Sequence, residues 1–125
     1  MKQVINTTDA PKAIGPYSQG IAAEQLIFLS GQIPIDPVTG EIPDGIEAQT
    51  HRVFKNIAAL LKASGTDFKD VVKTTVFLKD MGDFAAVNAI YAEYFTAPYP
   101  ARSAVAVAAL PRGVLIETEC IVLRS

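Results

Sequence analysis

The sequence predicts an α+β fold, one sheet with two helices packed on one of its faces. Three observations carry this. Strand-like and helix-like segments follow one another in the order β-β-β-α-β-α-β-β. Both helical segments are apolar along a single stripe. The closing segment, Val114 to Leu123, alternates with the two-residue period of a strand. At 125 residues the chain is read as a single domain, residues 1–125, long enough to bury a core.

Residues 2–6 and 18–30 carry strand signals, the latter as two short runs around a bend at Glu24-Gln25. Asp36-Pro37-Val38-Thr39-Gly40 and Pro43-Asp44-Gly45 are turn chemistry and make residues 31–45 a loop. Asp44 followed by Glu47 is spaced as a capping box for the helix that follows. Ile46, Thr50, Val53, Phe54, Ile57 and Leu61 recur at helical spacing, and Gly65 supplies the stop. His51 falls with Lys55 and Lys62 on the opposite face and is expected in solvent. Residues 71–79 return as a strand. Asp83 is expected to cap a second helix reaching Phe95, with Phe84, Val87, Asn88, Tyr91 and Phe95 on its inner stripe.

The last two strands are expected as a hairpin: Ala104 to Leu110 runs out, Pro111-Arg112-Gly113 bends, and Val114 to Leu123 returns. In the return strand Val114, Ile116, Thr118, Cys120 and Val122 share one side. Leu115, Glu117, Glu119, Ile121 and Leu123 share the other. Neither side is a plain solvent face, so helices are expected over the first and another subunit against the second. A 50% hydrophobic composition, high for a small monomer, points the same way.

Composition also excludes. The net charge is -2 and no run of like charges marks a phosphate-tracking surface, so nucleic acid is not an expected partner. Cys120 is the only cysteine and His51 the only histidine. An intrachain disulfide, the usual zinc sites and every His-dependent dyad or triad are thereby excluded. Met1 to Asn6 has no apolar core of a signal segment, and no apolar run approaches membrane-spanning length. A cytoplasmic location is expected.

Arg102 and Glu117 stand out because each sits in an otherwise apolar stretch, and burying a charge is costly unless it is paired or serves a site. Arg102 follows the proline-flanked Ala97-Pro98-Tyr99-Pro100-Ala101, and a guanidinium on so stiff a mount suits a small carboxylate. A structural ion pair with Glu117 or Glu119 is the other reading. Glu117 is a candidate general base, or a group that orients water, if burial raises its pKa. Glu119 competes for that role. Asn88 needs partners, a loop backbone being the simplest. The Gly15 to Gly20 and Ser30-Gly31-Gln32 segments each pair a glycine with a hydroxyl and can present N–H groups to an anion. Lys73 reads as an exposed strand residue.

Gly15-Pro16-Tyr17-Ser18-Gln19, Leu29-Ser30-Gly31-Gln32, the Asn88-x-x-Tyr91-x-x-Tyr94-Phe95 helix, Pro100-Ala101-Arg102-Ser103 and Ile116-Glu117 together resemble the RidA/YjgF family of enamine/imine deaminases. The resemblance spans nearly the whole chain, and Pro-Ala-Arg-Ser followed by the glutamate of the next strand is its most specific part. It implies a chorismate mutase-like α+β fold with a six-stranded, mainly antiparallel sheet, assembled as a homotrimer with three pockets between subunits. Arg102 would hold the substrate carboxylate and Glu117 would position or activate water. Tyr17, Ser30, Gly31 and Asn88 would complete the pocket. Many relatives carry a cysteine two residues after the arginine; here Ala104 stands there, so only its backbone can contact ligand and thiol chemistry is not expected.

The activity implied is hydrolysis of 2-iminopropanoate and 2-iminobutanoate, derived from 2-aminoacrylate and 2-aminocrotonate, to 2-oxo acids and ammonia. It would need no cofactor or metal and would protect pyridoxal-phosphate enzymes. A metabolite-binding regulator of 2-oxo acids and an RNA-acting translation inhibitor are the two alternatives.

Overall fold

The computed structural model describes residues 1–125. Six strands, β1 (Lys2–Ile5), β2 (Gly20–Ala23), β3 (Leu26–Gln32), β4 (Val71–Leu78), β5 (Ala101–Ala106) and β6 (Ile116–Leu123), form one sheet in the order β1-β2-β3-β6-β4-β5. All neighbouring pairs are antiparallel except β4 and β5. Two helices, α1 (Ile46–Ala63) and α2 (Phe84–Tyr94), lie over it; α1 packs across β3 and β6 and against α2. The expected element order is found, and so are the expected stripes except at Asn88, which is exposed.

The expected hairpin is not. β5 and β6 are separated by β4, to which β5 runs parallel. The difference follows from what each strand can bury. β6 carries Ile116, Thr118, Cys120 and Val122, all buried, and takes the centre between β3 and β4. β5, built of Ala101, Arg102, Ser103, Ala104, Val105 and Ala106, offers little apolar area and is relegated to the edge. Residues 107–115 therefore carry the chain past β4 instead of turning it back directly.

One sheet face and the helices enclose the core. Ile27 and Leu29 from β3, Thr74, Val76 and Leu78 from β4 and the buried side of β6 meet Val53, Phe54, Ile57, Leu60 and Leu61 of α1. An aromatic cluster fixes α2 against α1. Tyr91 stacks on Phe95 with centroids 4.3 Å apart, and both meet the edge of the Phe54 ring at 5.8 Å. Such pairs contribute about 0.5–1.5 kcal/mol each beyond burial. The cluster also sets Tyr91 in place, where its hydroxyl meets Thr74 Oγ1 at 2.8 Å across the core.

The α1 N-cap is Gly45, not Asp44, with φ 87°, and no side chain caps it; Asp83 occupies the N-cap position of α2 as expected but makes no cap bond. A positive φ suits glycine better than Asp44, which displaces the boundary by one residue. Asp80 instead accepts from Gly82 N at 2.8 Å in the turn before α2. The one capping box joins Asp67 and Asp70 ahead of β4. His51 is not free in solvent: Nδ1 lies 2.7 Å from the Tyr94 hydroxyl, tying the outer side of α1 to α2. No helix is long and apolar enough to cross a membrane.

Candidate active site

Register places Arg102 and Glu117 on opposite faces. Arg102 lies beside Thr74, whose side chain points to the helices, whereas Glu117 lies beside Phe77, three residues on and therefore on the open face. The ion pair entertained for Arg102 does not form. Its Nη1 donates to Asn88 Oδ1 at 2.8 Å, and its guanidinium covers the rings of Tyr91 and Phe84 at 4.7 and 5.2 Å. Asn88 is thus corrected too. It is exposed on α2 and holds Arg102, not a loop backbone.

Tyr91, Tyr99, Pro100, Asn88 and Arg102 enclose a depression of about 470 Å³ beside the start of β5. It holds a guanidinium flattened against aromatic faces, oriented by an amide oxygen, with the rest of its N–H fork free to grip a carboxylate. Ala104 lies two residues further along the same side of β5, partly buried against the core. No thiol stands there.

A second cavity, about 370 Å³, opens on the other face between β3, β6 and the loop before β2. Tyr17, Ser30, Gly31 and Glu117 all line it. Ser30 Oγ donates to the Ser18 carbonyl at 2.6 Å and Ser30 N to the Gln19 carbonyl at 2.9 Å, so the end of this loop is fastened to β3 directly after Tyr17. Gly31 is required sterically. A Cβ there would collide with the Glu117 carboxylate and come within 2.9 Å of its Cδ. The absence of a side chain on β3 is what lets the Glu117 carboxylate lie flat over the strand.

Nothing in the chain pairs with that carboxylate, since the one ion pair joins Arg52 to Asp36. Burial raises the Glu117 pKa above its ordinary 4.5, and Glu119, two residues on and exposed, raises it further. A carboxyl so placed is a stronger base than a solvated one. Glu119 itself flanks Thr75 and lines neither cavity. Cys120 points into the core, where burial pushes its thiol up to about 12.

The sequence-predicted residues thus divide into two groups on one chain: Arg102 and Asn88 on the helix side of an edge strand, and Tyr17, Ser30, Gly31 and Glu117 on the open face. Tyr91 and Tyr99, which shape the first group, are not among the site residues the sequence points to, although Tyr91 belongs to the helix motif that carries the resemblance.

The family model described as Endoribonuclease L-PSP matches residues 7–124. The chain belongs to the RidA/YjgF family. A RutC family protein of Pyrococcus horikoshii is 58% identical, covering 97% of each chain. The 2-iminobutanoate/2-iminopropanoate deaminase of Escherichia coli is 50% identical, covering 99% of each. Among solved structures, that of the YjgF gene product of E. coli superimposes with a TM-score of 0.94 at 49% identity, covering 98% of this chain and 99% of that one. The RidA/YjgF architecture therefore holds over the full sheet and both helices.

Proposed function

We propose that this protein hydrolyses 2-iminopropanoate and 2-iminobutanoate to 2-oxo acids and ammonium, in sites formed between copies of the chain in a homotrimer. The observation that carries the reading is the Glu117 carboxylate, in no ion pair, raised in pKa and seated over Gly31 in a cavity that Tyr17 and Ser30 also line. A relative at 50% identity named for this reaction supports the substrate class.

The open sheet face is the surface a second copy would cover. Phe28, Val105 and Leu123 stand on it, each 44–47% exposed, too much apolar area for an ordinary solvent face. Docking there would bring Arg102 of one copy to the cavity of Glu117 in the next. The guanidinium then holds the substrate carboxylate, and the Gly31 segment and Tyr17 confine the imine. Glu117 takes a proton from water as the oxygen attacks the electrophilic imine carbon. The tetrahedral carbon next expels its nitrogen, which leaves as ammonia once protonated, and the carbon retains the oxygen as a ketone. Iminium plus water gives 2-oxo acid plus ammonium. Arg102 and Glu117 are the catalytic residues of this scheme. Tyr17, Ser30, Gly31, Asn88 and the backbone at Ala104 shape the pocket around the substrate. A cytoplasmic setting, beside the pyridoxal-phosphate enzymes that release such imines, fits this role.

The test is ammonia release from enamine generated in situ by a threonine or serine dehydratase, with and without the protein, alongside light scattering. Accelerated release by a trimer is expected. Release no faster than spontaneous hydrolysis, with 2-oxo acid binding retained, assigns the same cavity to a non-catalytic metabolite sensor.

A further inference from the structure

Lys12 and Arg112 line the Glu117 cavity, whose volume in the single chain is about 370 Å³. Both are exposed, and neither belongs to an ion pair. Glu117 is partly buried, whereas both cations are exposed.

Both cations sit on fixed backbone. Buried Gln19 accepts from Thr7 N at 2.7 Å and donates to the carbonyls of Thr7, Ala10 and Pro11, which pins the segment leading into Lys12. Arg112 occupies the left-handed region, with φ 56° and ψ 19°, in the turn before β6. A non-glycine residue there is disfavoured by roughly 1 kcal/mol or more. Glycine follows one position later, so the chain keeps a long cation where the backbone would favour none. Just beyond, Gln49 Oε1 accepts from Leu115 N at 2.8 Å and fixes the exit of the turn.

We infer that Lys12 and Arg112 form a second anion subsite, which extends the substrate range to 2-imino acids bearing a further carboxylate one or two methylenes from the imine carbon. The inference rests on the deaminase reading. The first carboxylate is held by Arg102 of the adjoining copy, the imine carbon lies over Glu117, and the distal carboxylate reaches Lys12 and Arg112. The chemistry is the same as for the smaller substrates: water adds to the imine carbon, nitrogen leaves as ammonium, and a 2-oxo dicarboxylate is formed.

The experiment compares two imines made in situ by amino-acid oxidases, one from 2-aminobutanoate and one from an acidic amino acid, with catalase present. Formation of 2-oxo acid is measured against spontaneous hydrolysis. The wild type is expected to accelerate both. In Lys12→Ala/Arg112→Asn, where asparagine tolerates the left-handed backbone, the kcat/KM ratio of two-acid to one-acid imine is expected to fall roughly tenfold or more. A ratio unmoved by the double variant, or a wild type that hydrolyses only the one-acid imine, overturns the subsite. Acceleration of neither imine overturns the deaminase reading and the subsite with it.

Discussion

The Arg102 guanidinium lies 4.7 Å from the centroid of the Tyr91 ring, whose own hydroxyl is held 2.8 Å from Thr74 Oγ1 inside the core. The cation is therefore aimed from below by a ring that cannot turn and from the side by Asn88. Arg102→Lys keeps one charge but loses the planar stack and the second prong. An efficiency loss of roughly ten- to a hundredfold is expected in kcat/KM for imine hydrolysis, with the fold retained. Parental efficiency would make Arg102 structural.

Gly31→Ala separates catalysis from stability. The new methyl group displaces the Glu117 carboxylate, the free end of a flexible side chain, so the fold yields at little cost. A stability change within about 1 kcal/mol is expected by denaturant titration. The kcat should nonetheless fall by about a hundredfold, because the proposed base no longer lies where it can take a proton from the attacking water. Comparable loss in both quantities would remove Glu117 from the chemistry.

Glu117→Gln should lower kcat by roughly 10²- to 10⁴-fold while Glu119→Gln costs much less. The pH dependence supplies a finer check. A base must be ionised, so activity is lost as pH falls through the Glu117 pKa, which lies above 4.5. Glu119→Gln removes one of the two causes that raise it, and the acid limb of the kcat/KM profile should move to lower pH. The linkage to stability has the opposite sense: a raised carboxyl pKa favours the protonated fold. Its contribution is full below the unfolded pKa and lost as pH rises through the folded one. Glu117→Gln should therefore stabilise the isolated chain near neutrality, read as a higher Tm.

Cys120 should be inert. It is buried with its pKa near 12, on the face away from Glu117. Mass spectrometry after treatment with an alkylating reagent at pH 7.5 should show no adduct on the native protein and a full adduct after denaturation. Rapid native labelling, or a large loss of turnover in Cys120→Ser at equal folded fraction, would contradict this placement.

The pattern of alternation proved the most legible part of the fold. In β6 it separated Ile116, Thr118, Cys120 and Val122 from Glu117 and Glu119 correctly, because one face of a central strand is buried along its whole length. Pairing was less legible. Two apolar runs joined by Pro-Arg-Gly look like a hairpin locally, but strand order depends on competition among all strands for the centre, which no local signal encodes. Capping was legible only in part: Gly45 takes the N-cap position expected of Asp44, while Asp83 does sit at the N-cap of α2 but, already in helical backbone as it leaves the turn at residues 81–83, makes no cap bond. The partners of Asn88 at the site and of His51 away from it, Arg102 and Tyr94, were not legible because each comes from another segment of the chain.

The division of Arg102 and Glu117 between two sheet faces gives the proposed reaction an unusual dose dependence. Under the proposed reading no folded chain, however well made, holds a complete centre by itself. Under the proposed assembly, turnover per molecule falls with dilution as copies separate, and output rises faster than linearly with expression near the dissociation threshold. Defects become shareable as well: copies lacking Arg102 and copies lacking Glu117, each silent when pure, rebuild intact centres when allowed to exchange.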